Sequence, residues 1–270
     1  MAYVLDETVF RQIRDFIYER SGIFISDSKK YLIENRLSRR ISENRLSGFE
    51  EYLNFLKFSA DGNELTKLFD AITTNETYFF REPQHFEVLL NNIIPDIMSR
   101  KGLNSINIWS SACSTGEEPY TIAMLLKEAP HIKCEIIASD ISISVLDSAK
   151  KGVYSSYSIR NVPENFLKKY FKKNGLSYEI DASIKKSVKF KQINLFDEKA
   201  LRIIRNIDVV FCRNVLIYFD DRAKQKVLSH LYDCIAPNGY LFIGSSETLH
   251  NLTRAFKPIV INKVVAYKKL

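Results

Sequence analysis

The chain has 270 residues, of which 46% are hydrophobic and 26% are charged, and its formal net charge at neutral pH is +7. These proportions are ordinary for a globular protein with a sizeable core, in one large domain or two modest ones. No apolar run reaches the roughly 18 residues of a membrane span, and the first residues lack a signal-peptide core, so we expect a cytoplasmic protein without membrane insertion.

The first 72 residues predict a small all-α domain. Apolar side chains recur there at helical spacing. Gly22 is a plausible stop for the first helix, and Ser47 and Asn63 are candidate caps for the third and fourth helices. The four apolar seams are Val9, Ile13, Phe16 and Ile17; Ile33, Leu37 and Ile41; Phe49, Leu53 and Leu56; and Leu65, Leu68 and Ile72.

Two stretches carry most of the excess positive charge. Residues 29–45 hold six basic and two acidic residues, and Arg36 and Arg40 lie one helical turn apart there. Residues 165–191 hold eight lysines and two acids. Both stretches predict basic surfaces that suit an acidic partner. For the second stretch, lysines that only aid solubility are an equal alternative.

After residue 104 the pattern changes to short apolar strands that alternate with amphipathic helices. This alternation predicts a doubly wound, mostly parallel sheet with helices on both faces. The last segment, PIVINKVVAYKK, has no helical crossover and predicts an antiparallel edge. The predicted strands are 106–112, 134–140, 188–194, 207–213 and 239–245, and the predicted helices lie near 117–128, 142–151 and 220–235.

A small antiparallel β insertion is predicted at about residues 171–191. The segments GLSYEID and SVKFK alternate apolar and polar residues around a short turn. Leu176, Tyr178 and Ile180 would share one face. The insertion would carry much of the second basic stretch.

The cysteines and histidines give no metal-binding pattern, so we predict no metal site. The cysteines lie in or beside apolar runs without CxxC spacing and are interpreted as reduced core residues. The histidines are scattered along the chain. These residues are Cys113, Cys134, Cys212 and Cys234, and His85, His131, His230 and His250.

The carboxyl ends of the predicted strands define a ligand site. The first strand leads into ACSTGEE, where Gly116 is the single glycine, whereas a pyrophosphate needs two or three glycines. Glu117 and Glu118 would repel a diphosphate but could pair with an ammonium group. Asp140, at the end of the second strand, suits the hydroxyls of a ribose. The site therefore favours S-adenosylmethionine, a cationic nucleoside without phosphate.

Each of these acids has a simpler alternative. One of the two glutamates could merely be favourable at a helix N-terminus. Asp140 could be a helix cap, although Ser142 already offers that cap.

Seven motifs, in order along the chain, resemble the CheR-type chemoreceptor methyltransferases, which methylate glutamate side chains of bacterial chemotaxis receptors. They cover essentially the whole chain. One departure is PNG at 237–239, where the family usually has two glycines, but Asn tolerates the same left-handed turn. The motifs are TNETYFFRE (74–82), WSSACSTGEEPYTIAM (109–124), ASDIS (138–142), AKKGVYS (149–155), INLF (193–196), FCRNVLIYFD (211–220) and NGYLFIGSSETL (238–249).

The resemblance implies a domain organisation and a partner. A helical receptor-docking domain, 1–72, would precede a Rossmann-like S-adenosylmethionine-dependent methyltransferase domain, 73–270, with its linker at 73–82. Arg36, Arg39 and Arg40 would dock on acidic methylation helices of the receptor. The β insertion resembles a subdomain that binds a receptor C-terminal peptide in some members. We expect a monomer that binds no nucleic acid.

The resemblance also implies the site residues. Arg81 and Tyr218 would act beside the reacting carbon; the alternative for Tyr218 is a core aromatic. The linker would close over the cofactor as a strap, or else be a plain hinge. Asn194 and Asn214 could instead be structural turn caps. The implied cofactor contacts are Asn75, Thr77, Arg81, Glu117, Asp140, Asn194, Leu195, Arg213 and Asn214.

The chemistry and its rivals follow from the cofactor. A glutamate is already ionised at neutral pH, so methyl transfer to it needs no general base, and the enzyme would contribute mainly alignment and closure. The rivals are a methyltransferase of small molecules or nucleic acids, a non-enzymatic sensor of the cofactor, and a nicotinamide-dependent dehydrogenase.

Overall fold

A computed structural model describes residues 3–58, 62–102 and 105–270. Its first part is helical, as the apolar spacing predicts. The first helix ends at Gly22, whose φ of 73° is left-handed and whose backbone approaches the Phe196 ring. Asn63, expected as a cap, lies inside the fourth helix instead. The helices are α1 (Glu7–Ser21), α2 (Lys30–Glu43), α3 (Phe49–Phe58) and α4 (Gly62–Ile72).

A broken helix that the sequence analysis did not predict follows the linker. It begins at Pro83, where a proline is favourable in the first turn. One π-helical turn, Leu89–Ile93, divides it into two parts. The parts are α5 (Pro83–Val88) and α6 (Ile94–Lys101).

Ten strands follow within the described residues, and seven of them form one sheet. The order β6-β2-β1-β7-β8-β10-β9 is parallel through β8 and antiparallel at β10 and β9. The predicted parallel sheet and its antiparallel edge are therefore confirmed. The strands are β1 (Ser105–Ser110), β2 (Lys133–Asp140), β3 (Val153–Ser155), β4 (Phe171–Asn174), β5 (Ser177–Ile180), β6 (Val188–Gln192), β7 (Ile207–Phe211), β8 (Ile235–Phe242), β9 (Phe256–Ile261) and β10 (Val264–Lys269).

Helices cover both faces of this sheet. Neighbouring residues of β1 show it, because Ile108 packs into one buried apolar cluster and Trp109 into another. Burial on both faces explains why these strands are apolar throughout. The helices of this part are α7 (Glu117–Lys127), α8 (Ile143–Lys151), α9 (Ser156–Ile159), α10 (Glu164–Tyr170), α11 (Ala182–Lys185), α12 (Glu198–Leu201) and α13 (Asp221–Cys234).

The predicted β insertion exists, but the expected pairing of its strands is wrong. Strand β5 pairs with β4 and β3 in a three-stranded antiparallel sheet. The SVKFK segment instead supplies β6, which pairs in parallel with β2. A tight turn at Gly175, with φ of 58°, brings β4 back onto β5, and α11 separates β5 from β6. Leu176 lies in that turn and is 96% exposed, so it does not share a packed face with Ile180.

The helical part packs directly on the sheet part. Tyr18 of α1 donates a hydrogen bond to Asp220, 3.0 Å away and 202 residues later in the chain. The segment after α1 forms a bridge from Ile23 to Phe219, and the Phe24 amide donates to the Tyr218 carbonyl at 2.8 Å. These contacts bring the end of α1 to the carboxyl edge of the sheet.

Candidate functional site

A cavity opens where the direction of the sheet order reverses, between the carboxyl ends of β1 and β7. Such a switch point is where open α/β sheets bind ligands. The cavity encloses about 1050 Å³, counting the open solvent at its mouth. Residues after β1, β2, β6 and β7 line it, together with the linker and the end of α1.

The backbone geometry of the turn between β1 and α7 explains why this turn contains a glycine at position 116. Gly116 has φ of 93°, and a Cβ there would lie 2.9 Å from the Ala149 Cβ and 3.2 Å from the Tyr120 ring. The glycine is therefore required by the left-handed turn and by close packing on α8. Neither reason involves a phosphate.

Of the two acids that follow Gly116, Glu118 is the one that lines the cavity. Its carboxylate accepts hydrogen bonds from the Ser110 hydroxyl at 2.7 Å and from Arg213 at 2.9 Å. Glu117 does not line the cavity, and its expected contact with the cofactor stays a prediction. Glu117 is 1% exposed and accepts a hydrogen bond from Thr115, and burial raises its pKa.

Asp140 ends β2 with its carboxylate on the cavity. One oxygen accepts the Ser114 amide at 2.9 Å and the other accepts the Ser142 amide at 3.0 Å. Burial raises the pKa of Asp140, although these amide bonds oppose the shift. Ser142 caps α8, as predicted. The carboxylate is thus held in one orientation with acceptor capacity left for hydroxyl groups.

Residues that follow β6 and β7 also line the cavity. Asn194 and Leu195 line it, but the Asn194 side chain also acts as a turn cap: it accepts the Phe196 amide and donates to the Arg20 carbonyl at 2.7 Å. Asn214 lines the cavity with a left-handed backbone, φ 56°, and its amide donates to Glu247. Both interpretations of Asn194 therefore remain compatible with its position.

The linker crosses the cavity and is held at both sides. Asn75, Thr77 and Arg81 line the cavity, and the Asn75 carbonyl accepts a hydrogen bond from Ser114. Phe79 and Phe80 are buried beyond it. This linker, the strap, therefore packs against the cavity, and its closing over the cofactor stays a prediction.

The two residues expected near the reacting carbon both reach the cavity. Arg81 lines it and donates a hydrogen bond to the Glu76 carbonyl at 3.1 Å. Tyr218 lines it from the short 3-10 turn that follows Asn214. Both side chains are partly exposed, so a group entering from solvent can meet them.

Family models for methyltransferases match the chain in two consecutive stretches. The model of the CheR methyltransferase all-alpha domain matches residues 8–73. The model of the CheR methyltransferase SAM binding domain matches residues 75–265. The chain belongs to the CheR methyltransferase family. It is therefore an S-adenosylmethionine-dependent methyltransferase of bacterial chemotaxis.

Individual relatives match this CheR methyltransferase along its length. Chemotaxis protein methyltransferase 2 of Vibrio cholerae is 38% identical and covers 98% of this chain and 94% of its own. The chemotaxis protein methyltransferase of Borreliella burgdorferi is 43% identical and covers 86% of this chain and 85% of its own. That of Escherichia coli is 35% identical and covers 93% and 88%. Within the described residues, no helix is long and apolar enough to cross a membrane.

The three arginines expected to dock on a partner differ in this CheR methyltransferase. Arg39 is 85% exposed and pairs with Glu43. Arg36 is half-buried and donates to the Ile72 carbonyl and to Thr74, so it holds the start of the strap. The prediction for Arg40 is wrong, because its side chain is 11% exposed and its guanidinium binds the buried carboxylate of Glu64.

Sequence reasoning missed one set of cavity residues and one pairing inside the cavity. Ser21 and Ile23, at the end of α1, line the cavity although they lie in the helical part. Glu118 carries a pairing that was not expected, with Arg213. The only sequence signal for Ser21 and Ile23 is Gly22, which ends α1 and redirects the chain toward the sheet.

Proposed function

We propose that this CheR methyltransferase esterifies glutamate side chains on the cytoplasmic methylation helices of bacterial chemoreceptors, and that it acts in the cytoplasm as a monomer. One observation carries the proposal. Eight of the nine expected cofactor residues, Arg81 among them, line a single cavity that Tyr218 also lines. The enzyme would be a protein-glutamate O-methyltransferase that needs no metal.

The cavity residues fit S-adenosylmethionine, which supplies an electrophilic methyl group on a positively charged sulfur. The fixed carboxylate of Asp140 would accept the ribose hydroxyls. Glu118 offers a negative charge for the ammonium group, and its partner Arg213 can face a carboxylate. The remaining cofactor contacts would come from Asn75, Thr77, Asn194, Leu195 and Asn214.

The chain's own residues would contribute alignment rather than proton transfer. The substrate carboxylate has an ordinary pKa of about 4.3, so it arrives ionised. Arg81 would attract and orient it at the cavity mouth, and Tyr218 would limit its approach. Correct alignment of two reactants can lower a barrier by about 7–11 kcal/mol. No general base is required in this scheme.

The receptor would contact two surfaces outside the cavity. We propose that residues 1–72 dock on the acidic methylation helices, with Arg39 as the exposed cation on α2. The insertion sheet ends in β4 and β3, whose edges suit strand addition by a receptor C-terminal peptide. Residues 73–270 would form the catalytic domain.

A labelled-methyl assay tests the proposed substrate. The purified chain is incubated with labelled S-adenosylmethionine and a chemoreceptor cytoplasmic fragment, with RNA in a parallel reaction. Label on the fragment should be released as methanol by mild alkali, because it is held in a methyl ester. A receptor fragment with glutamine at the modified positions is the control. Alkali-stable label, or label in RNA alone, would contradict the proposal.

A further inference from the structure

Glu82 lies directly behind the cavity, at the end of the strap. It does not line the cavity, but it follows Arg81 and precedes α5. Its φ and ψ are 56° and 64°, and Phe80 has φ of 57°, so Arg81 stands between two left-handed residues. Such a backbone is unfavourable for residues with a side chain and persists only where surrounding contacts fix it.

Arg213 supplies those contacts from the end of β7. Its side chain is 2% exposed. Its guanidinium donates to the Arg81 carbonyl at 2.7 Å, to the Glu82 carboxylate at 2.9 Å and to Glu118 at 2.9 Å. One buried cation therefore joins the strap to the first turn of α7.

Contacts with several neighbouring groups keep the Glu82 carboxylate ionised. Burial alone would raise its pKa, but the charge and hydrogen bond of Arg213 lower it below the ordinary value. The carboxylate also accepts the Ser245 amide at 3.3 Å. His85 Nδ1 lies 3.5 Å from it, and burial and the Arg213 charge lower the pKa of His85 to about 4, so this imidazole is neutral at physiological pH.

We infer that Glu82 is a positioning residue for methyl transfer: paired with Arg213, it fixes the backbone that presents Arg81 to the cavity. This inference rests on the proposed function for the role of Arg81. Loss of Glu82 leaves Arg213 bound to Glu118 and still on the cavity, so cofactor binding should survive. What is lost is one of the contacts that hold Arg81 between its left-handed neighbours.

Kinetics of two Glu82 variants test the inference in the full chain. Glu82→Ala should lower kcat about 10- to 150-fold, the range for losing a charged hydrogen bond. The Kd for S-adenosylhomocysteine should change less than about threefold, since Glu118 and Arg213 stay in place. Glu82→Gln keeps the shape and one acceptor oxygen, so it should recover part of the loss. Glu87→Ala removes an exposed glutamate of α5 and is the matched control.

A double-mutant cycle separates positioning from general destabilisation. If Glu82 acts through Arg213, Glu82→Ala should cause little further loss of kcat in an Arg213→Ala background. Hydrogen exchange of the strap amides, with and without S-adenosylhomocysteine, gives a readout that does not depend on methyl transfer. Exchange should be at least about tenfold faster in Glu82→Ala than in Glu87→Ala.

These outcomes decide the inference independently of the substrate. Failure of the wild-type chain to methylate a receptor fragment would refute the proposed function, while the exchange rates would still report on the strap. Unchanged strap exchange, kcat of both Glu82 variants within twofold of wild type, or fully multiplicative losses in the cycle would each overturn the role given to Glu82.

Discussion

Replacing Asp140 by Asn tests the cofactor site most directly. Both oxygens of the Asp140 carboxylate accept backbone amides, from Ser114 and from Ser142. Asparagine keeps one acceptor and turns an NH₂ donor toward an N–H donor, so both a charge and a hydrogen bond are lost. A hydrogen bond to a charged group contributes about 1.5–3 kcal/mol. Affinity for S-adenosylhomocysteine should therefore fall about 10- to 150-fold.

Isothermal titration calorimetry of Asp140→Asn with S-adenosylhomocysteine measures this loss. Asp147→Asn is the matched control, because Asp147 lies on α8 with a 56% exposed side chain and pairs only at the surface with Lys150. The control should bind like wild type. An Asp140→Asn affinity within about twofold of wild type would refute the assignment of this carboxylate to the ribose hydroxyls.

The pH dependence of binding gives a second measure of the same carboxylate. Burial raises the pKa of Asp140, so it protonates at a higher pH than an exposed aspartate. Affinity should fall as pH drops through that pKa, since the neutral form is a weaker acceptor. Folding stability responds with the opposite sign: the cost of burying the charge disappears as pH falls through the folded pKa. Titrations from neutral pH into the acid range should show a steeper loss for wild type than for Asp140→Asn.

Three arginine variants separate catalysis, folding and docking. Arg81→Ala should lower turnover at saturating cofactor at least about 100-fold. The melting temperature should change little, because the described hydrogen bond of Arg81 goes to an exposed segment. Unchanged turnover would exclude the catalytic role of Arg81. Arg40→Ala should lower the free energy of unfolding by about 3–5 kcal/mol, because it removes the cation beside the buried carboxylate of Glu64; urea denaturation measures this, and an unchanged midpoint would contradict the structural role. Arg39→Ala should leave stability unchanged and raise the KM for a receptor fragment roughly two- to fivefold at low salt, less at high salt. A KM that does not change with salt would assign Arg39 to solubility alone.

The strands and their ends were predictable from the sequence because they depend on local patterns. Apolar runs with helical crossovers require a parallel sheet, and residues such as Asp140 that follow these runs must meet at one edge. The glycine-poor turn at Gly116 indicated a ligand without a pyrophosphate for the same local reason. Those inferences needed no knowledge of contacts between distant segments.

The errors concern pairings between segments that are distant in the sequence. Arg40 has the spacing of an exposed basic residue, and nothing in its own helix reveals that Glu64 of α4 packs against it. The SVKFK segment pairs with β2, far earlier in the chain, rather than with the neighbouring strand β5. The approach of α1 to the cavity depends on contacts such as Tyr18 with Asp220, which lie 202 residues apart.

The sum of the charges that line the cavity explains its preference for a cationic ligand better than any single acid does. Glu76, Glu118 and Asp140 line it against two guanidinium groups, those of Arg81 and Arg213. Arg213 is further neutralised from behind by Glu82, and in the described part of the chain Asp140 forms no ion pair. The excess is therefore negative, in a partly enclosed site where charges interact more strongly than in water. A pyrophosphate would add two negative charges to this surface, whereas a sulfonium and an ammonium group reduce the repulsion among its carboxylates.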